Sequence, residues 1–166
     1  MAGRRRESNR EELKIHILET AAEAFKRSGI KAVHMDDIAG SLSISKRTLY
    51  ELFGDKEQLL LEVFGLYRQR INEDMQEITS RAENVLEVIL KFYERKVNEL
   101  CLVNPLFFRD LRKYPKVLDF IHEEQRQNDA DSVEYFQKGV EQGIFRDDIN
   151  FQIINQTMAM QMDFFF

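Results

Sequence analysis

Cysteine, proline, tryptophan and histidine are scarce in this chain of 166 residues, and each scarcity narrows the reading. Cys101 is the only cysteine, which excludes an internal disulfide and fits a reducing cytoplasm. On an apolar helix such a thiol is expected to be buried rather than reactive. Two prolines, Pro105 and Pro115, leave long stretches free of helix breakers. The three histidines, His16, His34 and His122, stand apart and form no recognisable metal-ligating or nucleophile–base set. His122-Glu123-Glu124 is no exception, because adjacent positions do not share a helical face. No catalytic residue, no metal and no cofactor is therefore expected. No run approaches the roughly eighteen apolar residues that cross a bilayer, and the basic N-terminus lacks the apolar core of a signal peptide. The expectation is a cytoplasmic protein without a membrane partner.

Net charge is −5, which taken whole argues against nucleic acid, but the distribution reverses that argument. Residues 1–56 hold 11 Lys and Arg against 9 Asp and Glu, a net of +2, and the remainder carries −7. A mildly basic head on an acidic body is compatible with DNA, since binding needs only a local positive face.

The most informative stretch is Met35–Gln58, MDDIAGSLSISKRTLYELFGDKEQ. Asp36 and Asp37 suit the first turn of a helix, where negative charge meets the positive end of the macrodipole. Met35, Ile38, Ala39 and Leu42 recur at helical spacing as one apolar stripe. Ser43-Ile44-Ser45 interrupts it, and Ser45 is a good N-cap for a second helix opening with Lys46, Arg47 and Thr48. Leu49, Leu52 and Phe53 form its inward side, Gly54 can stop it, and Asp55 can cap the next helix at Lys56. Two short helices joined by a three-residue turn make a helix-turn-helix.

Within this stretch, Ile38-Ala39, Ile44-Ser45, Leu49-Tyr50, Phe53, Lys56-Glu57 and Leu59 resemble the DNA-binding domain of TetR/AcrR-family transcriptional regulators. With the first helix, the resemblance covers about a third of the chain. Four positions depart from the pattern. Ser43 replaces the turn glycine, His34 stands at a common Ser or Thr cap, and Glu51 and Leu52 replace residues that often touch phosphate. The resemblance implies an all-α fold, with an N-terminal three-helix head (residues 1–56) joined to a helical effector-binding and dimerisation body (residues 57–166). It also implies a homodimer on a pseudo-palindromic double-stranded operator, and a small apolar or amphipathic effector in the body.

In such a helix the first turn enters the major groove. Arg or Lys pairs with guanine acceptors, and Thr meets a phosphate or a thymine methyl. The expected DNA contacts are therefore Ser45, Lys46, Arg47 and Thr48, with Tyr50 at a phosphate as the resemblance implies. Lys56 would clamp the backbone at the start of the following helix, and Lys14, near the start of the first, could reach a phosphate. Taken singly, each reads as an ordinary solvated surface residue; inside the matched motif the DNA-contact reading prevails.

Ahead of the motif, Arg4-Arg5-Arg6 reads as a flexible basic arm over residues 1–8, either tracking phosphate or simply solvated. Ser8 or Asn9 can then cap a helix to Ser28 with Leu13, Ile17, Leu18, Ala21, Ala24 and Phe25 inward, stopped by Gly29. After it, periodicity predicts long helices over 57–79, 82–103 and 116–142 and a short one near 106–111. The 82–103 helix is apolar nearly all round and is expected at the centre of the body. Tyr67, Phe92, Tyr93, Phe107, Phe108, Phe120 and Tyr135 either line an effector cavity or form aromatic core. Glu94, Arg95 and Arg109 are its candidate polar anchors or plain surface charges. A last helix from Asn150 runs into Phe164-Phe165-Phe166, where the family continues through a further helix. The expectation is a truncated body, or else a short member whose aromatic end packs at an interface.

The functional expectation is a ligand-responsive repressor. An activator or architectural DNA-binding protein without an effector is the alternative, and an all-α enzyme is disfavoured by the missing reactive sets.

Overall fold

The computed structural model describes residues 2–154, and for residues 2–6 and 129–131 the backbone alone. The described residues form helices and connecting turns, with no strand. In order these are α1 (Ala2–Ser28), α2 (Met35–Ser41), α3 (Lys46–Phe53), α4 (Lys56–Arg81), α5 (Val85–Cys101), α6 (Pro105–Leu111) and α7 (Pro115–Glu141), then a helical turn at 151–154. The all-α class with an N-terminal helix-turn-helix is thus the fold adopted. None of these helices is long and apolar enough to cross a membrane.

The chain divides into two compact units. The first runs to Arg68 and includes Val103–Val117; the second comprises Gln69–Leu102 and the chain from Leu118. This differs from a boundary at 56/57 in two respects. Helix α4 is continuous through Arg68 and Gln69 and so belongs to both units, and α6 folds with the N-terminal helices. Helix α1 also begins earlier than expected. Residues 2–8, expected as an arm, are helical, in keeping with the good helix propensity of Arg and Glu.

In the first unit, the interior is built by Ile17, Ala21 and Phe25 of α1, Ile38 of α2, Leu49 and Phe53 of α3, and Leu59 and Leu60 of α4, all 2% exposed or less. Burying each large side chain is worth about 1.5–3 kcal/mol, so this interior fixes where α3 lies. Leu111 and Val117 are fully buried as well. Phe64 of α4 meets Phe107 of α6 at a centroid distance of 6.1 Å.

In the second unit, Val85 and Val88 of α5 are buried, and Val85 donates its N–H to Gln142 Oε1 at 3.1 Å. Gly143, at φ 70°, ends α7, and the chain folds back so that Phe151 stacks on Phe136 at 4.8 Å beside Phe145. Helix α5 is not buried on all sides, contrary to expectation. Leu86, Leu90, Tyr93 and Val97 recur at i, i+4, i+7 and i+11 as a second, exposed stripe, with Leu90 60% and Val97 53% accessible. The helix carries more apolar positions than one packed face covers. Cys101, expected to be buried, is exposed at its last turn. The final helix begins after Asn150, whose Oδ1 accepts from Ile153 N–H at 3.2 Å. The terminal aromatics Phe164–Phe166 lie outside the described residues.

Candidate nucleic-acid interface

Helix α2 ends in a Schellman closure. Ser43 N–H donates to Gly40 O at 3.1 Å and Ile44 N–H to Ala39 O at 3.0 Å. The closure needs a left-handed residue, and Ser43 supplies it at φ 54°, the one non-glycine with positive φ among the described residues. The tight turn therefore forms without the glycine usual there. At the other end of α2, Asp37 Oδ2 accepts from His34 N–H at 2.8 Å, as in half of a capping box.

Helix α3 opens on Ser45, whose Oγ accepts from Thr48 N–H at 3.0 Å and lies 2.8 Å from Thr48 Oγ1. That cap fixes the first turn. Leu49 and Phe53 face inward, which leaves Lys46, Arg47, Tyr50 and Glu51 outward and Thr48 half-buried. Arg47 is 87% exposed and its Nε donates to Glu51 Oε1 at 2.7 Å. Tyr50 is 46% exposed. Lys46 reaches back to the Asp36 carboxylate of α2, and that hydrogen bond, with the attendant charge attraction, raises its pKa above the usual lysine value. The surface offered by α3 thus has forked and point cations, a hydroxyl and a phenol, the groups that recognise base edges and phosphates.

Lys14 and Lys56 are placed differently. The ammonium of Lys14 meets Glu62 at 2.6 Å and lies 5.8 Å above the Phe53 ring, tying α1 to α4 and α3. Lys56 turns inward and donates to the carbonyls of Ile30 and Val33, with the Phe25 ring 5.8 Å away. Burial is the main cause of its lowered pKa, partly offset by Asp110 and Asp37. Both side chains hold the scaffold behind α3.

Two residues that sequence reasoning did not select complete this scaffold. Asp110 of α6, 3% exposed, accepts from Lys31 N–H at 2.7 Å in the α1–α2 loop. Asn104 donates its backbone N–H to Lys26 O at 2.8 Å and its Nδ2 to Arg27 O at 3.0 Å, while its Oδ1 accepts from Leu106 N–H at 2.9 Å. One side chain thereby caps the end of α1 and the start of α6. Gly29 lets the two approach: at φ 81°, a Cβ there would lie 2.9 Å from Leu106 Cβ. A buried acid amid the apolar run Leu106–Leu111 was a visible signal, but its partner lies far away in sequence.

The seven aromatics considered for an effector do not fall in one unit. Tyr67, Phe107 and Phe108 belong to the first, and Phe92, Tyr93, Phe120 and Tyr135 to the second. Phe107 and Phe108 meet edge-on at 5.6 Å, as do Phe92 and Tyr93 at 5.9 Å. None of the seven lines the open groove of about 630 Å³ between α1 and α2, which is bounded by residues such as His16, Thr20, Val33 and Asp37. Of the candidate polar anchors, Arg95 pairs with Asp74 at 2.5 Å and Arg109 lies 3.5 Å from Asp110. Among the described residues no cluster of three or more His, Cys, Asp or Glu is placed to hold a metal.

Comparison with known proteins agrees with this geometry. Residues 17–63 match the N-terminal domain described as bacterial regulatory proteins, tetR family. The chain is 29% identical over 149 residues to the HTH-type transcriptional repressor KstR2 of Mycolicibacterium smegmatis, covering 83% of this chain and 70% of that protein. It is 33% identical over 78 residues to the uncharacterised HTH-type regulator YhgD of Bacillus subtilis, covering 47% of this chain and just 37% of that relative. A solved transcriptional regulator from Saccharomonospora viridis, in complex with choline, shares the fold at a TM-score of 0.78 and 21% identity, covering 92% of this chain and 82% of that one. With the capped α3, the Schellman turn and this match in place, residues 17–63 carry the N-terminal domain of tetR-family regulators, and the chain is similar in sequence and fold to transcriptional regulators of the TetR/AcrR type.

Proposed function

We propose that this regulator is a ligand-responsive repressor that acts in the cytoplasm as a homodimer on a pseudo-palindromic operator. The observation that carries the reading is the first turn of α3, where Ser45 fixes the backbone and Lys46 and Arg47 stand in solvent. Ser45, Lys46, Arg47, Thr48 and Tyr50 are the proposed contacts with DNA, and Lys14 and Lys56 hold them in position. Two such helices must lie about 34–36 Å apart to enter successive major grooves on one face of the duplex.

The effector is proposed to be a small apolar or amphipathic molecule held in the helical body, with Phe92, Tyr93, Phe120 and Tyr135 of the second unit as its candidate contacts. The S. viridis regulator, which shares this fold, was solved with a small organic molecule, choline. A near-complete switch requires the effector to prefer the non-binding state by about 5.5 kcal/mol. Helix α4, continuous from Lys56 to Arg81, is the element proposed to carry the change. A double glycine near Tyr67 that left induction intact would remove α4 from that role.

The test is fluorescence anisotropy with DNA from upstream of the protein's own gene. Wild type is compared with Lys46→Ala/Arg47→Ala across a salt series, with unrelated DNA as control. Preference for the upstream fragment, lost in the double variant, is the expected result. Equal binding of both fragments by wild type and variant would overturn the reading. A wild type that prefers the fragment but gains no thermal stability from any apolar ligand favours an activator or architectural role.

A further inference from the structure

The structural division of the chain separates charge more sharply than the sequence order does. The first unit holds 16 Lys and Arg against 12 Asp and Glu, and the second 8 against 17. Most of the first unit's excess comes from its late segment. Residues 103–117 alone contain Arg109, Arg112, Lys113 and Lys116 against a single acid, Asp110. Asp110 is buried and accepts a backbone N–H, whereas all four cations are exposed.

This basic corner, where α6 turns into α7, is fastened to the DNA-binding head at several points. Asn104 joins it to the end of α1, Asp110 to the loop before α2, and Gly29 lets Leu106 close in. At its far side, Lys116 N–H donates to Glu57 Oε1 at 3.2 Å, with the ammonium 3.7 Å from the same carboxylate. Glu57 lies in the first turn of α4, so the corner borders the helix start that follows the recognition helix.

We infer that the α6–α7 corner is a second DNA-contacting surface, in which Arg109, Lys113 and Lys116 meet the sugar-phosphate backbone of the same duplex that α3 reads. Its ligand is the polyphosphate chain and not base edges, so it contributes affinity and no sequence preference. The inference rests on the DNA-binding reading above. A solvated basic face or an acidic protein partner would leave DNA binding untouched.

The experiment measures the slope of log affinity against log salt for the upstream fragment and for unrelated DNA. Arg109→Gln/Lys113→Gln/Lys116→Gln is compared with wild type and with Lys91→Gln/Lys96→Gln/Lys138→Gln, which removes equal charge from the second unit. Each phosphate contact contributes about 0.9 to the slope. With three contacts removed from each of two protomers, the corner variant is expected to lose roughly five units of slope on both DNAs while keeping its preference for the upstream fragment, and the control variant is expected to keep the wild-type slope. Circular dichroism and thermal melting confirm that both variants are folded. A slope unchanged in the corner variant, or lowered equally in the control, would overturn the inference while leaving the regulator reading intact. A wild type without DNA binding at low salt would overturn both.

Discussion

The carboxylate of Asp110 accepts the backbone N–H of Lys31 at 2.7 Å, joining α6 to the loop that precedes the helix-turn-helix. The same loop is held from its other side by Lys56, whose ammonium takes the carbonyls of Ile30 and Val33. Asp110→Ala strands the Lys31 amide and removes a carboxylate that favours the charged form of Lys56. A loss of about 1–3 kcal/mol is expected in urea unfolding, because leaving a part-buried donor without its partner costs that much. Asp110→Asn keeps an acceptor and should lose less. Equal stability of the Ala variant and wild type would show that the bond contributes nothing.

Ser43 offers a gain of stability. It holds φ 54° in the Schellman turn, a conformation that glycine adopts freely and a residue with a Cβ adopts at a cost of about 1–2 kcal/mol. Part of that cost returns as unfolded-chain entropy, so Ser43→Gly is expected to stabilise by about 0.5–1 kcal/mol. Thermal melting reads this as a rise of a few degrees, and a fall would refute it.

Asp36 ties Lys46 back towards α2. Asp36→Ala should release the ammonium and remove a negative charge beside the α3 surface proposed to meet DNA. DNA affinity is expected to rise a few-fold at low salt on any sequence, with the gain shrinking as salt screens it. Stability should move the other way by about 0.3–1 kcal/mol, since an acid leaves the first turn of α2. Opposite signs in anisotropy and melting are the signature; weaker DNA binding would contradict it.

Alkaline pH provides a fourth test. The Tyr114 phenol is held above its ordinary value of 10.0, first by burial and then by the carboxylates of Asp110 and Glu57. The unfolded chain therefore releases this proton at a pH where the folded chain still keeps it. Stability is lost as pH rises from about 10 through the folded value. Lys56, with its pKa lowered from 10.5, acts with the opposite sign, since the unfolded chain there binds the extra proton. Tyr114→Phe removes the first contribution and keeps the second. The stability of the Phe variant relative to wild type should grow between pH 9 and 11, whereas a pH-independent difference would exclude the tyrosine.

Much of the head was legible because its signals are local. Ser45 caps α3, Gly54 ends it and Asp55 caps α4 through Gln58 N–H at 2.8 Å, each acting within a few residues of itself. Apolar spacing likewise placed Ile38, Leu49 and Phe53 inside. What could not be read are relationships across many residues. Asp110 and Lys31, Asn104 and Arg27, and Lys56 and Ile30 meet through tertiary folding, which no periodicity encodes. Lys56 illustrates the difficulty: its position at the start of α4 suggested phosphate, whereas nearby carbonyls draw its ammonium inward. In α5 the failure came from period alone, since a helix apolar on two sides reads the same whether one side is covered or both.

Asn104 has a consequence for the chemical alphabet open to its position. Its side chain gives a proton to one helix end and takes a proton from another, so the residue there must carry both functions on a single-methylene arm. Aspartate can only accept, serine is too short to separate the two bonds, and glutamine carries them one carbon too far out. A saturation library ranked by thermal stability should therefore place asparagine first at position 104, with aspartate and serine next because they keep the α6 cap and lose only the bond to α1.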